Sequence, residues 1–176
     1  MSLIDSSYFV RDIFLPAGQY NTITLTIARY EKDILELLLG YELANLCINY
    51  TVASDQRIID LVEGKEYTEG EYTVKWRGLK NTDKSSLIAY YVYIQYLKDQ
   101  SMAFMNVGQV ASNVENGTNM GIARLIQKAS ARLREMAGYP GCDLYAGSLY
   151  AFLTKFYDDY PEWIWNEYKF ENMFGL

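Results

Sequence analysis

The sequence predicts a mainly α fold: a small helical bundle with one β-hairpin, an extended N-terminal arm and a C-terminal tail. Three observations lead there. Apolar residues recur at steps of three and four in several long stretches, the signature of helices with one buried face. Residues 87–97 read LIAYYVYIQYL and are plainly polar only at Gln95, so a helix there needs cover on nearly every side. Between Lys65 and Trp76 the period changes to two, with Tyr67, Tyr72, Val74 and Trp76 alternating with polar residues around Glu69-Gly70, as in a hairpin.

With 176 residues the chain fits a single domain, able to bury roughly 70% of its unfolded surface. Residues 1–20 show no sustained period and end in Leu15-Pro16-Ala17-Gly18, which reads as an N-terminal arm. Residues 21–161 form the expected core. Its first helix carries Ile23, Ile27, Tyr30, Ile34, Leu37 and Leu38, with Asn21 or Thr22 as cap and Gly40 as stop. A shorter pattern, Leu43, Leu46, Cys47 and Tyr50, packs back on it, followed by a charged stretch at 55–63. After the hairpin, a long helix starts near Asp83 or Ser85 and runs to about Met105. Residues 108–121, with Asn113, Asn116, Gly117 and Asn119, read as a polar loop. The next stripe is Ile122, Leu125, Ile126, Ala129, Leu133 and Met136, closed by Gly138 and Pro140. A last helix is expected at about 143–157, stopped by Pro161, and residues 162–176 form an aromatic tail.

Half of the residues are hydrophobic and 22% are charged, which argues against wholesale disorder. The 17 tyrosines supply stiff apolar bodies with polar tips, suited to surfaces that are sometimes wet and sometimes covered. A net charge of −6 gives no global attraction to nucleic acid or anionic membrane, so any such contact must be local. No basic and apolar leader is evident at the start, and the 87–97 run falls far short of the roughly 20 residues a bilayer requires. Cys47 and Cys142 lack the number and spacing of a disulfide framework or zinc site, and are expected as free thiols in a reducing compartment.

The absence of histidine removes Ser-His and Cys-His pairs, histidine metal sites and histidine acid-base catalysis. Gly64-Lys65 lacks the preceding glycine-rich turn of a phosphate loop, and no dinucleotide fingerprint occurs. Acid pairs such as Asp158-Asp159, or Glu63 with Glu66, would serve glycoside hydrolysis only if they faced each other across a cleft. No catalytic residue, cofactor site or metal site is therefore expected.

Two features stand out as partner-binding candidates. Arg124, Lys128 and Arg132 recur at i, i+4 and i+8, with Arg134 nearby, so one predicted helix presents a basic stripe opposite its apolar face. Such a stripe meets phosphates, a partner's carboxylates, or simply water. The tail, with Trp163, Trp165, Tyr168, Phe170 and Phe174, is either a cap on the bundle or an anchor-rich docking segment.

A further resemblance lies in order and pattern across most of the chain. An arm ending in Leu15-Pro16 precedes a helix with Tyr30-Glu31 and Ile34-Leu35, then Leu39-Gly40. Later come Trp76-Arg77-Gly78-Leu79, the aromatic helix at 86–97, and Gly108 followed by Glu115-Asn116. The chain closes with residues 149–153, Tyr160-Pro161-Glu162-Trp163 and Asn172-Met173-Phe174-Gly175-Leu176. In these respects it resembles the head-tail connector proteins of tailed bacteriophages, also called adaptor or head-completion proteins. The resemblance implies a non-enzymatic, mainly helical virion subunit, present in the host cytoplasm during assembly and then repeated in a ring beneath the portal. Its partners would be the portal protein and neighbouring connector or tail proteins, with non-specific contact to channel DNA open to the basic stripe. A carbohydrate or small-ligand binding module using exposed Trp76, Trp163 and tyrosines is the alternative, and a carboxylate hydrolase the third reading.

Overall fold

A computed structural model describes residues 2–15, 18, 20–53, 55–106, 114–140 and 146–164, of which 20, 21, 53, 101–106 and 114–120 are described by backbone alone. The helices are α1 (Tyr20–Leu39), α2 (Tyr41–Ile48), α3 (Tyr50–Ala53), α4 (Gln56–Glu63), α5 (Leu87–Asn106), α6 (Val114–Ala137) and α7 (Leu149–Lys155). Strands β1 (Lys65–Glu69) and β2 (Tyr72–Trp76) form one antiparallel hairpin, with Tyr67 opposite Val74. The fold is mainly α with a hairpin, as the periodicity predicts. No helix among the described residues is long and apolar enough to cross a membrane.

The central element is α5, packed along both α1 and α6. Leu87, Ile88, Ala89, Tyr90, Val92, Tyr93, Ile94, Tyr96 and Leu97 are all buried, while Tyr91 and Gln95 are half-buried. The helix starts later than Asp83 or Ser85. Asn81 and Lys84 adopt positive φ values of 43° and 58°, and the Asn81 amide donates to the Ser85 carbonyl at 2.8 Å, so this stretch is a turn. Ser86 then caps the helix, its Oγ accepting from the Ile88 N–H at 3.2 Å and donating to the Leu79 carbonyl at 2.6 Å.

The expected N-terminal arm is part of the core. Leu3, Ile4, Tyr8, Phe9, Ile13 and Leu15 are buried, and the backbone folds into 3-10 turns at Ser6–Tyr8 and Arg11–Ile13. Irregular turns of this kind have no helical or strand period to read, yet they bury six of the thirteen side chains from Leu3 to Leu15. Polar contacts lock the segment in place. Glu31 on α1, only 7% exposed, accepts the Leu3 N–H at 2.7 Å and the Ile4 N–H at 3.3 Å, with Ser2 Oγ 2.6 Å away. Tyr90 on α5 donates to Asp12, 2.8 Å from one carboxylate oxygen and 2.9 Å from the other.

The charged stretch at 55–63 is helix α4, which hides Ile58, Leu61 and Val62 behind its polar face and is capped by Asp55. Charge dominates the composition of so short a segment, so its three-residue apolar face is easily missed. The 108–121 loop expectation is also corrected, since α6 runs from Val114 and only 107–113 lie outside the described residues. Gly117 and Gly121 oppose helix by about 1 kcal/mol each, a modest penalty across a helix packed along α5. Helix α7 begins at Leu149, not 143: Ser148 caps it, and Gly147 just before has φ 84°. Residues 141–145, with Cys142, lie outside the described residues. Cys47 is a free, buried thiol that desolvation pushes up to about 12, which makes it unreactive.

The hairpin leans on α7, as a marginal two-stranded unit must. Trp76 stacks on Phe152 at 5.8 Å, and Tyr67 meets Phe152 and Phe156 edge-on at 5.9 and 5.5 Å. Its junction with α4 is closed by backbone. The Leu61 carbonyl accepts both the Trp76 indole N–H at 2.9 Å and the Leu79 N–H at 3.2 Å, while Val62 accepts the Lys80 N–H at 2.9 Å. These donors satisfy carbonyls that the last turn of a helix leaves open. A Cβ on Gly78 (φ 83°) would lie 2.5 Å from backbone atoms of Val62 and Glu63.

Gly78→Ala is therefore expected to destabilise the protein by about 1–3 kcal/mol in a urea melt. Gly70→Ala is the control: it also has positive φ, but its Cβ would meet open space, and it should cost clearly less. Glu31 supplies a pH test, because burial raises its carboxyl above the ordinary 4.5. The neutral form is favoured in the fold, so its stabilisation is present in acid and is lost as pH rises through the raised value. Glu31→Gln should accordingly gain stability relative to wild type between pH 4 and pH 8, read from paired denaturation curves.

Candidate functional site

Helix α6 presents the basic stripe to water. Arg124, Lys128 and Arg132 are exposed along one line, while Ile126, Ala129, Leu133 and Ala137 are buried on the opposite side. Arg132 also contacts Glu135 one turn on, an interaction that holds its guanidinium charge more firmly. Tyr90 lies close to Arg132, and burial with its bond to Asp12 pushes the phenol up to about 12.

The C-terminal half of α6 forms one wall of an open cleft of about 370 Å³. Opposite it stand Lys75 at the end of β2 and Arg77 just beyond, so Lys75, Arg77 and Arg132 line the same space. Lys75 pairs with Glu66 at 3.3 Å and Arg77 with Asp83 at 3.7 Å, each pair more than 60% exposed on both sides. The sequence identified Arg132 as a candidate but not its two neighbours. More than fifty residues separate them, and no local spacing signals that pairing.

The tail expectation divides at Ile164. Trp163 is buried, donates its indole N–H to the Leu38 carbonyl at 3.1 Å, and meets Tyr150 and Tyr157 edge-on at 5.8 and 6.3 Å. It closes the C-terminal turn of α1, the position that the capping reading of the tail gives it. Trp165, Tyr168, Phe170 and Phe174 lie outside the described residues. Trp76 is likewise 3% exposed, so neither tryptophan forms the exposed platform that a carbohydrate-binding reading requires.

Three large apolar side chains reach the surface around Trp163, with Lys32 Nζ 5.7 Å from the Tyr41 ring and Asp158 and Asp159 exposed beside Tyr157. Tyr41, Tyr157 and Ile164 are 66%, 60% and 62% exposed. Ile164 is held against Gly40 and donates its N–H to the Leu39 carbonyl at 3.3 Å, which places it beside Tyr41. The carboxylates named as acid pairs are otherwise engaged or exposed. Glu66 faces Lys75, Glu63 accepts from the Tyr50 hydroxyl at 3.4 Å, and Asp158 and Asp159 sit exposed in a 3-10 turn. Among the described residues no three acids or cysteines are grouped to hold a metal ion.

A polar clasp fixes this C-terminal region. Arg57 on α4 donates to both oxygens of Glu162 at 2.7 and 2.8 Å, to Asp55 at 2.9 Å, and to the Asp159 carbonyl at 2.8 Å. Tyr160 donates back to the Arg57 carbonyl at 2.6 Å. Such a bidentate pair is among the strong hydrogen bonds of proteins.

No protein-family model matches this chain, and no curated protein or solved structure is significantly similar to it.

The clasp predicts a pH dependence of opposite sign to Glu31. The Arg57 guanidinium holds the Glu162 carboxyl below its ordinary 4.5. That stabilisation is present above the unfolded value and lost as pH falls through the folded one. Wild type should lose stability between about pH 5 and pH 3 relative to Glu162→Gln, as judged by thermal melting across that range.

Proposed function

We propose that this protein is a structural ring subunit, a head-tail connector or adaptor that joins a tailed-phage portal to the tail. The observation that carries the reading is the exposed apolar cluster of Tyr41, Tyr157 and Ile164. It surrounds the point where the chain continues into Trp165, Tyr168, Phe170 and Phe174. Exposed aromatic and aliphatic side chains gathered on one patch are the usual core of an interface, and tyrosine is favoured there. In this reading the patch meets a neighbouring copy or the portal, the ring sits in the neck of the virion, and no step of chemistry is required of the subunit.

The mainly α fold with its single hairpin supports the same assignment, as does the pairing or exposure of the acids singled out for hydrolysis. The resemblance in residue order carries the phage identity.

Solution mass, measured by sedimentation velocity for the protein alone and with the portal protein of the same phage, tests the proposal. Concentration-dependent oligomers, or addition of several copies to the portal particle, are expected. The double variant Tyr41→Ser/Tyr157→Ser should weaken that association at least tenfold while keeping the helical circular dichroism of wild type. A chain that stays monomeric and never joins the portal particle would overturn the connector reading.

A further inference from the structure

The basic face of α6 continues into the cleft beside the hairpin. Arg124, Lys128 and Arg132 form a row about 12 Å long, from the 1.5 Å rise per residue. The exposed residues interspersed with that row from 121 onwards, Gly121, Ala123, Leu125, Gln127 and Ala131, are uncharged. Among the described side chains of α6 the only carboxylate is Glu135, at the far end of the row. Beyond Arg132 the surface opens on Lys75 and Arg77. Five cations from two distant parts of the sequence thus face one region of a chain whose net charge is −6.

Their present partners are easily exchanged. Glu66, Asp83 and Glu135 hold Lys75, Arg77 and Arg132 in exposed pairs, the kind that contributes least in water. Among the described residues, Arg124 and Lys128 make no ion pair. Three of the five are arginines, whose planar fork matches two phosphate oxygens at once. Each strand of duplex DNA offers a charge about every 3.4 Å of axis, so a row of this length spans three or four phosphates. The neighbouring Trp76 is buried and presents no ring to stack on bases.

We propose that the α6 row and the adjoining cleft bind the phosphate backbone of duplex DNA without reading its sequence. Backbone contacts of this kind position a protein on the duplex and carry no base information. The inference deepens the connector reading by naming the ligand of one face. It rests on that reading only for why a structural subunit would meet DNA. Its test uses the free subunit without portal, so the two fail separately.

Fluorescence anisotropy of a labelled 20-base-pair duplex, titrated with the full chain at 50 and 200 mM NaCl, reads the binding. Three to five neutralised phosphates, from the row alone up to row and cleft together, predict an affinity loss of about 40- to 500-fold between those salts. Arg124→Gln/Lys128→Gln should weaken binding at 50 mM and flatten the slope of log affinity against log salt by about 1.8. Lys32→Gln/Lys155→Gln removes the same charge from exposed sites elsewhere and should leave the slope unchanged. A duplex of shuffled sequence should bind equally well. Absence of binding at 50 mM, equal losses in the two double variants, or a tenfold preference for one sequence would overturn the proposal. Displacement of the duplex by polyglutamate at one-tenth of its charge concentration would reassign the face to an acidic protein and overturn it too.

Discussion

A helical stretch that is apolar on nearly every side has to be enclosed, and the rest of this structure follows from enclosing residues 87–97 of α5. Helices α1 and α6 cover two sides of it. Each large side chain hidden this way contributes roughly 1.5–3 kcal/mol relative to exposure, so the covering elements are held strongly. Two helices cannot close a full circumference. The segment from Leu3 to Leu15 is drawn into the core instead of trailing as an arm. The tyrosines of α5 add a second requirement, because a buried hydroxyl needs a partner. Tyr90 finds Asp12 on that same segment, so one contact satisfies the polar tip and fastens the cover.

Polar groups then finish what apolar burial begins. The last turns of α1 and α4 each leave a carbonyl open, and in both cases a tryptophan indole closes it: Trp163 on Leu38 and Trp76 on Leu61. Each ring also fills space against aromatic neighbours, so its apolar body and its one donor act at the same place. The two ends of the described core are fastened by glutamates in opposite electrostatic situations. Glu31 is desolvated and holds backbone N–H groups, whereas Glu162 lies against a guanidinium. Burial works against charge in the first case, and ion pairing favours it in the second.

Much of the architecture was legible in the residues. The helices around Ile34 and Leu133 and the hairpin at 65–76 follow from period, because a sustained run averages out local exceptions, and the burial of 87–97 follows from its lack of any polar face. Shorter or irregular pieces were not legible. Asp55 to Glu63 is too short and too charged for its apolar face to stand out, and 3-10 turns such as Ser6–Tyr8 have no long period. The basic stripe was readable because Arg124, Lys128 and Arg132 share one helix. The cleft it enters was not, since Lys75 and Arg77 reach Arg132 only through the packing of the hairpin and α7 beside α6.

By itself the sequence determined a mainly helical fold, the lack of any histidine-based chemistry, and an acidic chain with one basic helical face. These depend on composition and on contacts within single elements. Tertiary structure alone decided which tryptophans are structural and which cations share a surface. In a linear reading Trp163 is open to docking and Trp76 to ligand binding, yet each is buried with its indole on the last turn of a helix, Trp163 on one 125 residues back in the chain. Burial and convergence arise between elements, and periodicity within one element carries no information about its partner.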